Sequence, residues 1–267
     1  MTRLFVLAVS LVGVFTALER RLLYFPARED LARATAAAQQ AGLEPWRDDG
    51  RFLGWRARHP RAPPQAIVLV LHGNAGSALD RLWYRDVFHL AGAVDVVLLE
   101  YPGYGPRDGE PSQASLVAAC REAVTHLRRE GLPIAIVGES LGSAVASLAA
   151  AEQPADVAGL LLVTPLASVT AVAKRHYPFI PSALVADPYR ADLALPRYPG
   201  PVGFLVAGRD EVVFPDLGLA LFEARTGPKR LWLEPRSGHN DLAHDPSDPK
   251  WREMLRFVLP GLTSRLR

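Results

Sequence analysis

The chain has 267 residues, of which 30 are basic and 28 are acidic, and its formal net charge is +2. This length allows one large α/β domain or two small ones. Because the charge is nearly balanced and no Lys/Arg-rich run is interleaved with aromatic residues, the composition predicts no nucleic-acid partner. Cys120 is the only cysteine, which excludes an intrachain disulfide, and no Cys/His spacing matches a zinc site.

An uncharged apolar run extends from Leu4 to Leu18, behind Arg3 and ahead of Glu19. A bilayer span usually needs about 20 residues, so the run is short for a span and also suits the apolar region of a signal peptide. No small-residue cleavage site follows it, and we therefore predict a membrane anchor within residues 1–25. A cleaved signal peptide and a buried helix are the alternatives. The alanine- and arginine-rich composition is typical of a bacterial protein, which predicts the inner membrane, or a secreted periplasmic form if the segment is cleaved.

From Trp55 onward, apolar runs alternate with helical patterns, which predicts a mainly parallel sheet with helices on both faces. The predicted elements in chain order are strands 51–58 and 66–71, helix 80–90, strand 94–99, helix 112–130, strand 134–137, helix 141–151, strands 157–163 and 202–207, helix 216–225, strand 231–233 and helix 248–259. Between residues 164 and 200 the alternation stops in a segment rich in proline and aromatic residues, which predicts a small cap insertion. Residues 26–267 are otherwise predicted to form one domain.

The stretch around Ser140 has the strand–turn–helix context of a G-x-S-x-G nucleophile elbow. A buried strand leads into Gly138, Ser140 lies at the turn, and Gly142 opens a helix of small residues. Glycines on both sides allow strand and helix to pass closely. The helix N-terminus directs its amides toward the place where an oxyanion would form. The pattern predicts Ser140 as a nucleophile, and a serine that only caps the helix is the alternative.

A serine hydroxyl needs a general base, and the base needs an acid that orients it. On this type of sheet the order along the chain is Ser, Asp or Glu, then His. Asp210 follows the predicted strand 202–207 and is the favoured acid, and His239 follows strand 231–233 as the favoured base. The alternatives are Glu211, Asp187 and Asp192 for the acid and His244 for the base. The HNDLAHD stretch at 239–245 lacks a third well-placed metal ligand, so no metal is predicted.

The loop L-H-G-N-A-G at 71–76 emerges from strand 66–71, where a second oxyanion donor is expected. Besides the amide of Leu141, we predict the amide of Asn74 as a donor, with Ala75 as the alternative. The loop is not a phosphate loop, because no G-K-[ST] follows it. No cofactor is predicted.

Five motifs together resemble the α/β-hydrolase superfamily, and more narrowly its small membrane-anchored branch of serine-aminopeptidase-like serine hydrolases. They are L-H-G-N-A-G, Tyr101-Pro102-Gly103-Tyr104-Gly105, G-E-S-L-G-S-A-V-A, Gly208–Asp210 and Ser237-Gly238-His239-Asn240-Asp241. The resemblance covers nearly the whole chain. It implies an α/β-hydrolase fold, a triad of Ser140, Asp210 and His239, and an oxyanion hole of Asn74 and Leu141. It also implies that Tyr101 shapes the pocket. Pro106-Arg107 departs from the branch's usual small polar residue.

We therefore expect a serine hydrolase that cleaves a carboxylic ester or thioester of a small-molecule or lipid-like acyl substrate. An ester is favoured over an amide because the short insertion offers no obvious peptide subsites. The predicted anchor favours a lipophilic acyl group. Tyr177, Phe179 and Leu184 of the insertion are candidates to line an acyl pocket, or they pack the insertion. A peptidase or amidase of the same fold and a non-catalytic membrane-tethered binding protein are the alternatives.

Overall fold

A computed structural model describes residues 19–179, 181–242 and 244–262. The strands found there are β1 (Phe25–Pro26), β2 (Glu44–Asp48), β3 (Arg51–Ala57), β4 (Ala66–Leu71), β5 (Ala75–Gly76), β6 (Val94–Leu99), β7 (Ile134–Glu139), β8 (Gly159–Val163), β9 (Val202–Ala207) and β10 (Lys229–Glu234). Eight of them form one sheet in the order β10-β9-β8-β7-β4-β6-β3-β2. Strand β3 runs antiparallel to both β2 and β6, and the other neighbouring pairs are parallel.

The helices of the same residues cover both faces of the sheet. They are α1 (Leu31–Gln40), α2 (Trp83–Ala91), α3 (Gln113–Leu127), α4 (Leu141–Glu152), α5 (Val169–His176), α6 (Ala191–Ala194), α7 (Pro215–Ala224) and α8 (Pro249–Val258). One buried cluster contains side chains of α3 and α4, and the second contains side chains of α2 and α8. This confirms the predicted α/β class and the placement of helices on both faces.

Strands β4, β6 and β9 have the bounds that were predicted for them. Each is buried along its whole length, and strands covered on both faces appear in sequence as continuous apolar runs. The N-terminal elements α1 and β2 were not predicted. Strand β2 carries Pro45 and charged residues at the edge of the sheet, so it lacks the apolar run of an interior strand. The helix predicted at 80–90 is divided into a 3₁₀ turn at Ala78–Arg81 and helix α2.

Cys120 lies on α3 inside the first cluster and is fully buried. Burial raises the pKa of its thiol to about 12. The thiol is therefore protonated at neutral pH, which suits a packed core side chain and not a nucleophile.

The segment between β8 and β9 holds α5, α6 and the 3₁₀ turns Ser182–Leu184 and Leu195–Arg197. It corresponds to the predicted insertion at 164–200. The apolar run at 4–18, on which the anchor prediction rests, lies outside the described residues. In the described ranges no helix is long and apolar enough to cross a membrane. The domain bounds 1–25 and 26–267 stay predictions.

Candidate active site

The turn between β7 and α4 places Ser140 at the carboxyl end of the parallel strands. Ser140 has φ 52° and ψ −117°, a backbone conformation that is strained for a non-glycine residue. A Cβ on Gly142 would lie 2.2 Å from the carbonyl oxygen of Leu71, and one on Gly138 would lie 2.4 Å from that of Gly142. The two glycines are thus required by the close approach of β7, α4 and the end of β4.

Three hydrogen bonds hold this strained turn in place. The Ser140 amide donates to the Val163 carbonyl at 2.9 Å. The hydroxyl of Ser143 donates to the Ser140 carbonyl at 2.6 Å and accepts from the Leu166 amide at 2.8 Å. Ser143 therefore ties the elbow to the chain that follows β8. The sequence reasoning missed this role, although a serine in the first turn of the elbow helix is visible in the motif.

The structure brings Ser140, His239 and Asp210 together. Asp210 follows β9 and His239 follows β10, so the two side chains project from neighbouring loops at the same edge of the sheet. The Nε2 atom of His239 lies 3.0 Å from Oγ of Ser140, and its Nδ1 atom lies 2.7 Å from Oδ2 of Asp210. Such a chain of two hydrogen bonds is the arrangement in which a histidine can take the proton of a serine hydroxyl.

The proton positions on His239 follow from its partners. Ionised Asp210 can only accept hydrogen bonds, so Nδ1 of His239 carries the hydrogen. In the neutral imidazole, Nε2 is then left with a lone pair and accepts from the Ser140 hydroxyl. This is the tautomer that a general base for Ser140 requires.

Asp210 is buried and receives hydrogen bonds on both oxygens. Its Oδ1 atom accepts from the amides of Val212 at 2.8 Å and Val213 at 2.9 Å, while Oδ2 faces His239. Burial acts to raise the pKa of this carboxyl, but the hydrogen bonds from His239 and the two amides outweigh it and hold the pKa below its ordinary value. Asp210 is therefore ionised at neutral pH and locked in one orientation.

The residues considered as alternatives have no described hydrogen bond to Ser140 or to His239. His244 stacks on Trp83 with ring centroids 3.7 Å apart. Asp187 accepts hydrogen bonds from Tyr24 and Arg20. The remaining alternatives are Asp192, which pairs with Arg190, and Glu211, which is exposed.

The loop at 72–76 adjoins the elbow, because a Cβ on Gly73 would lie 3.6 Å from the Cβ of Ser140. Leu141 is the first residue of α4 and follows the serine directly. Within residues 19–179, 181–242 and 244–262, neither the Leu141 amide nor the Asn74 amide donates a hydrogen bond. Both predicted oxyanion donors thus have an N–H group without a described acceptor, and both belong to segments that adjoin Ser140. Ala75, the alternative donor, lies in β5 and pairs with Phe25.

A cavity of about 290 Å³ opens beside His239. Its lining is mostly polar and consists of Asp80, Arg81, Trp83, Glu139, Val163, Thr164, His239, Asn240, Leu242 and His244. Glu139 precedes the nucleophile and pairs with Arg81 at 2.8 Å. The sequence reasoning missed both residues of this ion pair. Glu139 lies within the elbow motif, but nothing in the local pattern points to its partner, which is 58 residues away.

The structure does not bring the two predicted substrate contacts, Tyr101 and Phe179, to this cavity. Tyr101 has no exposed surface, and its hydroxyl donates to the His72 carbonyl at 3.2 Å. It therefore supports the loop at 72–76 from the core of the protein. Phe179 is 96% exposed and is not part of the cavity lining. Arg107, the departure noted in the sequence, is buried and donates to the Glu100 carbonyl at 2.7 Å.

The described ranges contain no group of three or more His, Cys, Asp and Glu side chains that could hold a metal ion. The chemistry available at the site is that of the serine, the imidazole, the carboxylate and the free amides.

Known proteins share both the sequence pattern and the fold. Residues 67–263 match the model of the alpha/beta hydrolase family. An uncharacterised protein of Mycobacterium tuberculosis is 34% identical over 247 residues, which cover 88% of this chain and 86% of the relative. The monoglyceride lipase of Homo sapiens is 32% identical over 126 residues, 44% of this chain and 41% of the lipase. The structure of Est1E from Butyrivibrio proteoclasticus with ferulic acid bound has a TM-score of 0.69 at 17% identity and covers 79% of this chain and 97% of that chain.

The match to the family model spans most of the sequence and agrees with the sheet, the nucleophile elbow and the order of the loops that carry Asp210 and His239. The chain belongs to the alpha/beta hydrolase family.

Proposed function

We propose that the protein is a serine hydrolase that cleaves a carboxylic ester or thioester with a lipophilic acyl group. The observation that carries this proposal is the hydrogen-bonded chain from Ser140 through His239 to Asp210. A non-catalytic binding protein would have no need for a strained serine that is hydrogen-bonded to an imidazole, with the imidazole in turn bonded through Nδ1 to a buried, ionised carboxylate.

The mechanism proceeds through an acyl-enzyme. His239 takes the Ser140 proton as the serine oxygen attacks the carbonyl carbon, and the Asn74 and Leu141 amides stabilise the oxyanion that forms. Protonated His239 then gives its proton to the leaving alcohol or thiol. In the second half His239 activates water, which attacks the acyl group and releases Ser140. Asp210 stabilises the imidazolium in both halves.

The polar cavity beside His239 suits the alcohol portion of an ester. Asp80, Asn240 and the Arg81–Glu139 pair offer hydrogen-bond donors and acceptors to hydroxyl groups there. Monoglyceride lipases among the relatives favour an acyl ester of a small polyol as the substrate class. A peptide substrate receives no such support.

Exposed apolar side chains support a membrane partner. Leu22 and Phe25, which follow the apolar N-terminal run, are 69% and 52% exposed. The described residues of the insertion expose four further large side chains, and these are Tyr177, Phe179, Leu184 and Leu193. Residues 19–24 bond directly to the insertion through Asp187, so the two sets of apolar side chains belong to adjoining segments. Exposed aromatic and aliphatic groups beside an apolar segment are typical of a surface that faces lipid.

The preference for acyl chain length tests the proposed substrate class. On p-nitrophenyl esters from acetate to decanoate, we expect kcat/KM to rise with chain length, by up to about fourfold per buried methylene. The corresponding p-nitroanilides should be poor substrates, and Ser140→Ala should remove the activity. Circular dichroism establishes that each sample is folded. A folded protein that hydrolyses none of the esters, or one that prefers acetate, contradicts the proposal.

Fractionation of cells that express the full chain tests the membrane proposal. The protein is expected in the membrane pellet and should resist carbonate extraction, because a run of apolar residues binds the bilayer core. A variant that lacks residues 2–18 should move to the supernatant and keep its activity on short, soluble esters. Recovery of the full chain in the supernatant contradicts a membrane anchor.

A further inference from the structure

Residues 19–26, here called the strap, are bonded to the loop that carries Asn74. The side-chain amide of Asn74 donates to the Leu23 carbonyl at 3.0 Å, and the Phe25 amide donates to the Asn74 carbonyl at 2.9 Å. Strand β1 of the strap pairs in parallel with β5, with Phe25 opposite Ala75 and Pro26 opposite Gly76. One backbone carbonyl of the strap (Leu23) and one backbone amide (Phe25) thus hold Asn74, a residue of the proposed oxyanion hole.

The peptide unit that contains the Asn74 amide is fixed from two directions. Nδ1 of His72 lies 2.8 Å from the Gly73 carbonyl, and a carbonyl can only accept, so His72 donates. The Gly73 carbonyl and the Asn74 N–H belong to one planar trans unit and point in opposite directions. On the other side, the Asn74 carbonyl accepts from Phe25 and from the Tyr104 hydroxyl at 2.8 Å. The backbone N–H of Asn74 then has no hydrogen-bond acceptor among the described residues, and it is held in place by the bonds of the groups around it.

The other end of the strap is fixed to the insertion. The hydroxyl of Tyr24 donates to Asp187 at 2.9 Å and lies 2.9 Å from the hydroxyl of Tyr189. Arg20 adds a bond to the same carboxylate at 3.2 Å. The carboxylate of Glu19 accepts from the amides of Ala186 and Asp187. Tyr24 and Asp187 are both 4% exposed, so the bonds of the Tyr24 hydroxyl are shielded from water.

We infer that the strap positions the Asn74 amide for the oxyanion, with the Asn74 side chain and Tyr24 as positioning residues. The strap connects the insertion to the loop at 72–76, and its loss would leave the Asn74 side chain and carbonyl without two of their three partners. The Asn74 N–H could then turn away from the developing charge while the triad stayed intact. This inference rests on the proposed function, since it assigns the strap a part in the same reaction.

Two substitutions in the full chain test the inference. Asn74→Ala keeps the backbone amide and removes the bond to Leu23, and Tyr24→Phe removes the hydroxyl that links the strap to Asp187 and Tyr189. Tyr198→Phe is the matched control, because it also removes a buried tyrosine hydroxyl, which donates to the Val157 carbonyl at 3.1 Å, outside the strap. Each variant is assayed for kcat and KM on a p-nitrophenyl ester and for affinity to an alkyl boronic acid, which forms a tetrahedral adduct with a reactive serine.

Misplacement of one oxyanion donor should lower kcat by a smaller factor than its complete removal. We expect Asn74→Ala to lower kcat roughly 10- to 100-fold and Tyr24→Phe on the order of three- to tenfold, with KM nearly unchanged. Boronic acid affinity should fall by the same factor as kcat in each variant. Tyr198→Phe should match the strap variants in thermal stability and keep wild-type values of kcat and boronic acid affinity. A merely structural role would lower stability in all three without a selective loss of boronic acid affinity.

Two outcomes overturn the inference. Wild-type boronic acid affinity in Asn74→Ala removes the role of the side chain, and kcat in Tyr24→Phe equal to that in Tyr198→Phe removes the role of the strap. If Asn74→Ala does not fold, the comparison of Tyr24→Phe with Tyr198→Phe alone tests the role of the strap. Failure of the proposed function is a separate result, because the wild type would then hydrolyse no ester and bind no boronic acid.

Discussion

Replacing either Ser140 or His239 with alanine is expected to lower kcat about 10⁶-fold, as in triads whose members act as a unit. Without the serine oxygen no acyl-enzyme forms, and without the imidazole the hydroxyl, whose only described base partner is Nε2 at 3.0 Å, keeps its proton. KM should change little, since neither side chain is needed to hold the ground state. Because the two residues serve one step, the double variant should lose no more activity than either single variant.

His244→Ala is the control for this prediction. Its ring stacks on Trp83 and lines the cavity proposed for the alcohol portion, but it has no described contact with Ser140, so a change in this variant is expected in KM while most of the wild-type kcat is kept. Steady-state kinetics on the best p-nitrophenyl ester give kcat and KM for the wild type and the four variants. Substantial activity in His239→Ala together with its loss in His244→Ala would move the base to His244. Additive losses in the double variant would mean that the two residues serve different steps.

Asp210→Asn is expected to lower kcat about 10⁴-fold while the fold is kept. The two amides of Val212 and Val213 donate to Oδ1, so the oxygen of the asparagine would take that position. Its amino group would then face Nδ1 of His239 and donate to it. This arrangement places the imidazole hydrogen on Nε2, where it cannot accept the Ser140 proton.

The pH dependence of stability gives a second measure of Asp210. Its pKa is lowered in the folded state, so its charge stabilises the fold above the ordinary aspartate pKa of about 3.9, and this contribution is lost as the pH falls through the lower folded value. The free energy of unfolding of the wild type should therefore fall more steeply toward pH 3 than that of Asp210→Asn. Urea titrations at several pH values make the comparison.

A kcat for Asp210→Asn within tenfold of the wild type would contradict the orienting role of the carboxylate.

The parts of the site that local sequence could predict are those built on strand ends. Ser140, Asp210 and His239 each follow an apolar run that ends in a glycine-bearing turn, and parallel strands bring such turns to one edge of the sheet. The glycine at 142 was predictable for the same reason, since its close approach to Leu71 is a property of the turn.

The parts that escaped prediction depend on contacts between distant segments. Leu23 of the strap is hydrogen-bonded to the side chain of Asn74, although 51 positions separate the two residues in the sequence. Neither segment alone has a periodic pattern that predicts this pairing. Side-chain direction was equally hidden. Tyr101 lies close to the site, but its ring points into the core, and only the packed fold determines that orientation. The alanine-rich α1 carries few large apolar side chains, so its amphipathic face is weak in sequence.

The most direct test of the central claim is the covalent labelling of Ser140 by a fluorophosphonate probe. A serine whose proton is taken by His239 attacks the phosphorus atom and displaces fluoride, and the adduct is located by mass spectrometry of the proteolysed protein. We predict one stoichiometric adduct on the peptide that contains Ser140, and none on folded Ser140→Ala. An unlabelled wild type that is folded, or an adduct that persists on Ser140→Ala, would contradict the assignment of Ser140 as the nucleophile.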